Sequence, residues 1–197
     1  MSLLCEIFKA IRIILLGSII GLLFLSYDAK AIDVDKTPFD AHIVGSINPF
    51  NALFTAYGIS VTKKPLYNIY INSGGGVVVF GEQIVRQIYL ARERGVIVNC
   101  YVGDIAASMA FSILQSCSGR FVNINSRLMQ HHAYYIDECL NSKVVMRDDS
   151  FDMMRIASEL KRIKLDYRSY LEHFIDPERF FGALEALSIG AVDEIIF

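Results

Sequence analysis

The sequence has no run of lysine or arginine, no stretch rich in proline, glycine and serine, and few cysteines. The first absence removes support for a nucleic-acid partner. Nineteen Lys and Arg against 21 Asp and Glu leave a formal charge of −2, with no basic patch to displace counterions from phosphates. Four prolines and no linker-like composition give no reason to divide the chain. Four cysteines in 197 residues are too few for a disulfide scaffold. Neither CxxC nor the Cys/His spacing of a zinc site occurs, so no metal or other cofactor is implied. What is present is apolar: 53% hydrophobic and 12% aromatic residues against 20% charged. Such a chain can bury a core, which excludes a disordered or low-complexity protein. Its length suits one ordinary domain with a small appendage.

The mean hydropathy of +0.39 is high for a soluble protein, and the excess sits at the N-terminus. Lys9 and Arg12 precede an uncharged apolar run, Ile13–Leu25, and Ala29-Lys30-Ala31 follows. This is the n-region, h-region and A-x-A order of a secretory signal. A membrane anchor would need about 20 apolar residues to cross ~30 Å of hydrocarbon. The run is shorter unless Ser26 and Tyr27 extend it. Residues 1–31 are therefore expected to be a cleaved signal peptide, with a retained anchor as the alternative, and residues 32–197 the folded domain. The expected location is outside the cytoplasm, in the periplasm; a membrane is a partner only if the segment stays uncleaved. Cleavage removes Cys5 and leaves Cys100, Cys117 and Cys139. Three cysteines allow one disulfide, which export would permit, without choosing the pair.

Strand signals fall at His42–Ile47, Leu66–Asn72, Val96–Val102, Arg120–Ile124 and Ala191–Ile196. Helical periodicity covers Val77–Arg94, Ser108–Cys117 and Gly182–Ser188. The longest helix is expected at Ser150–Phe174, where Met153, Ile156, Leu160, Ile163, Tyr167 and Tyr170 form one apolar stripe. Strands separated by helices predict an α/β fold with largely parallel pairing.

Three segments carry more than packing information. Ile71-Asn72-Ser73-Gly74-Gly75-Gly76-Val77 runs from a strand through three glycines into a helix. Glycine lets the backbone approach a ligand, and the first N–H groups of a helix are unpaired donors. It lacks the Lys-Ser/Thr of a nucleotide cradle, and by itself reads as a tight turn. Gly103-Asp104-Ile105-Ala106-Ala107-Ser108-Met109 is a second strand–helix junction. Ser108 there has the bland reading of an N-cap, yet its small neighbours leave room for a carbonyl beside Oγ. Arg127-Leu128-Met129-Gln130-His131-His132 supplies imidazole, the usual acid/base group near neutral pH, although a histidine pair in a loop is commonly just solvated. Serine, histidine and main-chain donors together are the parts of an acyl-transfer site.

In this order, and with the ending Glu178-Arg179-Phe180-Phe181, Glu185-Ala186 and Gly190-Ala191-Val192-Asp193, the segments resemble the Clp protease proteolytic subunit (ClpP). That family's motifs run strand–INSPGG–helix, G-x-A-A-S-M, R-x-M-I-H-Q and D-R-F…E-A…G-x-V-D. The resemblance covers roughly Ile43 to the C-terminus. It implies the ClpP/crotonase-like fold, stacked ββα units with a long amphipathic "handle" helix, here Ser150–Phe174. It also implies Ser108 as nucleophile, His131 as general base, and the amides of Gly76 and Met109 as oxyanion hole. The family's orienting aspartate falls at Glu178, with Asp176 as the rival third member.

Several positions depart from the family. Gly74 replaces a proline, and Gln130 and His132 flank His131 in place of Ile and Gln. His132 is a rival base, but the register with Arg127 and Met129 favours His131. Ala133-Tyr134-Tyr135-Ile136-Asp137-Glu138 stands where the family has a glycine-rich, substrate-aligning strand. An exported protein meets no ATP. The resulting expectation is an ATP-independent serine endopeptidase, a homo-oligomer acting on unfolded chains or peptides. The alternatives are an oligomeric relative that has lost catalysis, and a crotonase-type enzyme of acyl-CoA chemistry.

Overall fold

The computed structural model describes residues 38–137, 142–145, 150–175 and 178–196. The expected signal segment, Cys139 and Asp176 lie outside them. The chain runs β1 (Ala41–Val44), α1 (Pro49–Val61), β2 (Leu66–Ser73), α2 (Val78–Glu93), β3 (Ile97–Ala107), α3 (Met109–Ser116) and β4 (Gly119–Asn123). β1 to β4 pair in parallel in that order, and β9 (Glu194–Ile196) extends the sheet parallel to β4. This is the expected α/β architecture.

The sheet forms because one face of each strand is apolar. In β2, Tyr67, Ile69, Ile71 and Ser73 are buried at every second position, against the Gly81, Ile84, Ile88 and Ala91 stripe of α2. Burying each isoleucine contributes about 1.5–3 kcal/mol. Gly81 has no room for a side chain, since a Cβ there would overlap the Met109 side chain; α2 and α3 pack closely for that reason. Cys100, in β3, and Cys117, just after α3, are joined by a disulfide within the core.

The second half of β3 does something separate. Beyond Val102 its neighbour on one side changes from β4 to β5 (Arg127–Met129), with Ala107 opposite Met129. β5 in turn pairs antiparallel with β8 (Phe180–Gly182). Arg127 lies over the Phe180 ring at 4.4 Å, which pins that register. A hairpin, β6 (Tyr134–Asp137) with β7 (Ser142–Val145), follows the histidines.

Four features differ from the sequence expectation. β1 stops at Val44 because Gly45 turns the chain at φ 74°, and Ile47 pairs alone with Gly76. β3 runs on through the Gly103–Ala107 segment, where the Asn72 side chain accepts the Ile105 N–H at 3.2 Å. Helix α1 was not expected. Its outward face carries Phe50, Leu53, Phe54, Tyr57 and Val61 while Ala52, Thr55, Ala56 and Ile59 face inward, so its two faces differ little in polarity.

The fourth is a correction. The handle is not one helix over Ser150–Phe174. It consists of α4 (Ser150–Glu159) and, after a break, α5 (Tyr167–Tyr170) continued by a π turn, Leu171–Ile175. Tertiary bonds outcompete helix in between. Lys164 N–H donates to Ile189 O at 2.6 Å, and the Arg162 guanidinium reaches Ser118 O and Asp193. Asp166 then restarts a helix as N-cap, accepting Ser169 N–H at 2.9 Å. α6 (Ala183–Ser188) completes the chain order before β9.

Candidate active site

The backbone at the Ser108 strand–helix junction is strained. Ser108 has φ 55° and ψ −126°, and among the described residues it alone is a non-glycine at positive φ. Such a conformation costs on the order of 1–3 kcal/mol and persists only where the surroundings dictate it. Here they do. The Ser108 N–H donates to Met129 O at 2.9 Å, and its carbonyl accepts Phe111 N–H at 2.9 Å as α3 begins. Ser108 occupies the N-cap position, but its side chain makes no capping bond. The bland N-cap reading therefore does not hold.

The glycine segment is built to pass close to this turn. A Cβ on Gly75 would lie 2.7 Å from Ser108 Cβ and 2.8 Å from Ala107 O. Gly75 and Gly76 both have positive φ, and a Cβ on Gly76 would overlap the Ile47 backbone. Gly74, by contrast, has open space around it. Ser73 Oγ accepts the Gly75 N–H at 3.1 Å, closing the turn. Gly75 O and Val77 N–H both bond Ile47, so the parallel-bridge pattern turns the Gly76 N–H away from Ile47. Met109 is the first residue of α3, and its N–H has no intrahelical acceptor.

His131 sits in the loop between β5 and β6, and both it and His132 are buried rather than solvated. Its Nδ1 donates to His132 O at 2.5 Å. Because a carbonyl only accepts, the proton of the neutral ring lies on Nδ1 and Nε2 keeps the lone pair. Its backbone N–H donates to Gln130 Oε1 at 3.0 Å, and its carbonyl accepts Arg155 Nη2 at 2.9 Å. Ser108, Met109 and His131 line one small, shallow cleft, together with Val78, Ala133 and Arg155.

Glu178 is exposed, on the turn before β8. The antiparallel β5–β8 ladder ends at the Met129–Phe180 pair, two residues short of both His131 and Glu178. The neighbouring Arg179 is held by Glu185 at 2.5 Å and lies over the Phe174 ring at 4.4 Å. Glu185 of the sequence ending thus anchors Arg179, the residue next to Glu178. Asp193 fixes the other end. It takes two bonds from the Arg120 side chain, at 3.1 and 2.8 Å, and pairs with Arg162 at 2.9 Å. Burial opposes its ionisation, but the Arg120 hydrogen bond and the two guanidinium charges prevail and hold its pKa below the usual aspartate range.

Behind the cleft lies a polar cluster that sequence reasoning missed. Glu159 of α4 is buried, with 3% of its side chain exposed. Burial pushes its pKa up, against Arg155 and hydrogen bonds from Ser112, Gln130 and Tyr170. No local pattern announces such a cluster, since Ser112 and Glu159 are 47 residues apart. Among the described residues no three His, Cys, Asp or Glu side chains are grouped to hold a metal ion, and no helix is long and apolar enough to cross a membrane.

The Clp protease family model matches residues 59–197. The chain belongs to the Clp protease family. It is a ClpP-type peptidase in general character, and proteins of this family are oligomeric serine peptidases that act on peptides. The match takes in the glycine segment, Ser108, His131 and the ending through Asp193.

Proposed function

We propose that this Clp protease relative is an exported, ATP-independent serine endopeptidase acting on unfolded chains or short peptides. The observation that carries the site assignment is the strained Ser108, lining one cleft with His131 at the junction of β3 and α3. Ser108 Oγ attacks the peptide carbonyl while His131 Nε2 takes its proton. The amides of Gly76 and Met109 receive the oxyanion, each such donor being worth roughly 2.7–4 kcal/mol in the transition state. Collapse breaks the C–N bond, the imidazolium returns the proton to the leaving amine, and an acyl-enzyme remains. Water, deprotonated by His131, attacks the ester and releases Ser108.

In this scheme His132 O already holds the ring tautomer, a task that a carboxylate performs in other triads. Glu178 is left to stabilise the imidazolium that forms, with Asp176 as its rival. The Cys100–Cys117 disulfide supports an oxidising compartment, and hence residues 1–31 as an export signal and the absence of an ATP-driven partner. The exposed apolar stripe of α1 supports a homo-oligomer.

Peptidase assays on the purified protein test this. Ser108→Ala and His131→Ala should each lower kcat by more than ~10³-fold with KM little changed. Glu178→Ala should cost less than ~10²-fold. Full activity in Ser108→Ala would end the assignment, and an inactive wild type would favour a relative that has lost catalysis.

A further inference from the structure

His131 is placed by side chains rather than by a strand ladder, and those side chains converge on one buried carboxylate. Gln130 accepts the His131 N–H and donates through Nε2 to Glu159 Oε1 at 2.6 Å. Arg155 donates Nη2 to the His131 carbonyl at 2.9 Å and Nη1 to Glu159 Oε1 at 3.3 Å. Both main-chain groups of His131 are thus tied to Glu159 through a single intermediary each. The same carboxylate reaches the nucleophile's helix. Ser112 Oγ donates to Glu159 Oε1 at 2.7 Å, and the Ser112 N–H donates to the Ser108 carbonyl at 3.2 Å. Tyr170 of α5 donates to the other oxygen at 3.2 Å.

Ser112, Gln130, Arg155 and Tyr170 all donate to the carboxylate, which suits a group that only accepts. The cost of burying its charge is partly offset by Arg155 and three hydrogen bonds.

We propose that Glu159 is a positioning residue for the peptidase site, holding the His131 main chain and the start of α3 in fixed relation through Gln130, Arg155 and Ser112. This rests on the reading of Ser108 and His131 as nucleophile and base. Glu159 does not line the cleft that those residues share; Arg155 does. The carboxylate therefore acts through its neighbours, and its loss moves the base relative to the nucleophile without removing a substrate contact. A displacement of the order of 1 Å is enough for a large rate loss.

The test uses Glu159→Gln and Arg155→Lys in the full chain, with a fluorogenic peptide for kcat and KM, fluorophosphonate labelling of Ser108, and thermal unfolding of the same samples. Gln keeps the size of Glu159 but presents an NH₂ to groups that themselves donate. Lys keeps the charge of Arg155 but cannot fork between His131 O and Glu159. Folded Glu159→Gln should lose 10- to 100-fold in kcat and in labelling rate, with KM within twofold of wild type. Arg155→Lys should lose kcat in the same direction. If Glu159→Gln fails to fold, Arg155→Lys alone decides. Folded variants with wild-type kcat and labelling rate, whatever their melting temperature, would overturn the positioning role while leaving the hydrolase reading intact. Equal activity in Ser108→Ala would overturn that reading instead.

Discussion

Ser108 carries backbone strain that a glycine would not. Replacing it with glycine should therefore abolish activity and raise stability by about 1 kcal/mol, because positive φ is costly for a residue with a Cβ. The adjacent glycines separate by position in the same way. Gly75→Ala puts a methyl 2.7 Å from Ser108 Cβ at a φ of +99°, and should cost 1–3 kcal/mol along with most of the activity. Gly74→Ala meets open space and should be neutral within about 1 kcal/mol. Chemical denaturation of the two variants checks this, and equal losses would contradict the proposed role of Gly75 in setting the turn. The types and order of residues at the site could be read from the sequence because strand–glycine–helix and strand–serine–helix junctions are local patterns. The conformation of Ser108 could not, since it depends on Met129 and Gly75, both distant in the chain. The Cys100–Cys117 pairing was likewise undetermined until β3 and α3 were placed together.

Strands and helices repeat the lesson. α2 falls within a residue of its expected bounds at each end because its inward stripe of Gly81, Ile84, Ile88 and Ala91 keeps helical spacing and Gly95 stops the run. α1 was invisible to the same test, as its bulkiest apolar side chains point outward; Asn48 and Asn51, which form a capping box, were its local signal. The apolar stripe of the handle continues across the break, with Ile163 and Tyr170 both buried, so periodicity could not detect it. What breaks the helix is the pull of Arg162 and Lys164 toward β9 and its approach. Asp193 anchors that region, and Asp193→Asn should destabilise by about 1–3 kcal/mol, a buried-pair magnitude reduced because Asp193 is 38% exposed. The sign with pH follows from its depressed pKa. The stabilisation is complete above the unfolded aspartate value and is lost as pH falls through the lower folded value. Denaturation curves of wild type and Asp193→Asn should therefore differ at neutral pH and converge in strong acid; a gap that widens on acidification would contradict the ion-pair account.

For the molecule as a whole, the α1 stripe matters most. Phe50 and Phe54 are 75% and 73% exposed, and Leu53, Tyr57 and Val61 continue the patch along one side of the helix. Exposed apolar patches of this kind mark contact surfaces, and under the proposed homo-oligomer the occupant of this one is a second copy of the chain. Phe54→Glu should shift the elution mass of the purified protein from oligomer toward monomer at micromolar concentration. A monomeric wild type would remove the argument.

If the chain is a serine peptidase, Ser108 is an activated nucleophile. Intact-mass spectrometry after fluorophosphonate treatment, followed by peptide mapping, reads this without assuming a substrate. The prediction is one adduct per chain on Ser108, lost in His131→Ala. An unmodified wild-type chain, or an adduct on another residue with Ser108 untouched, would contradict it.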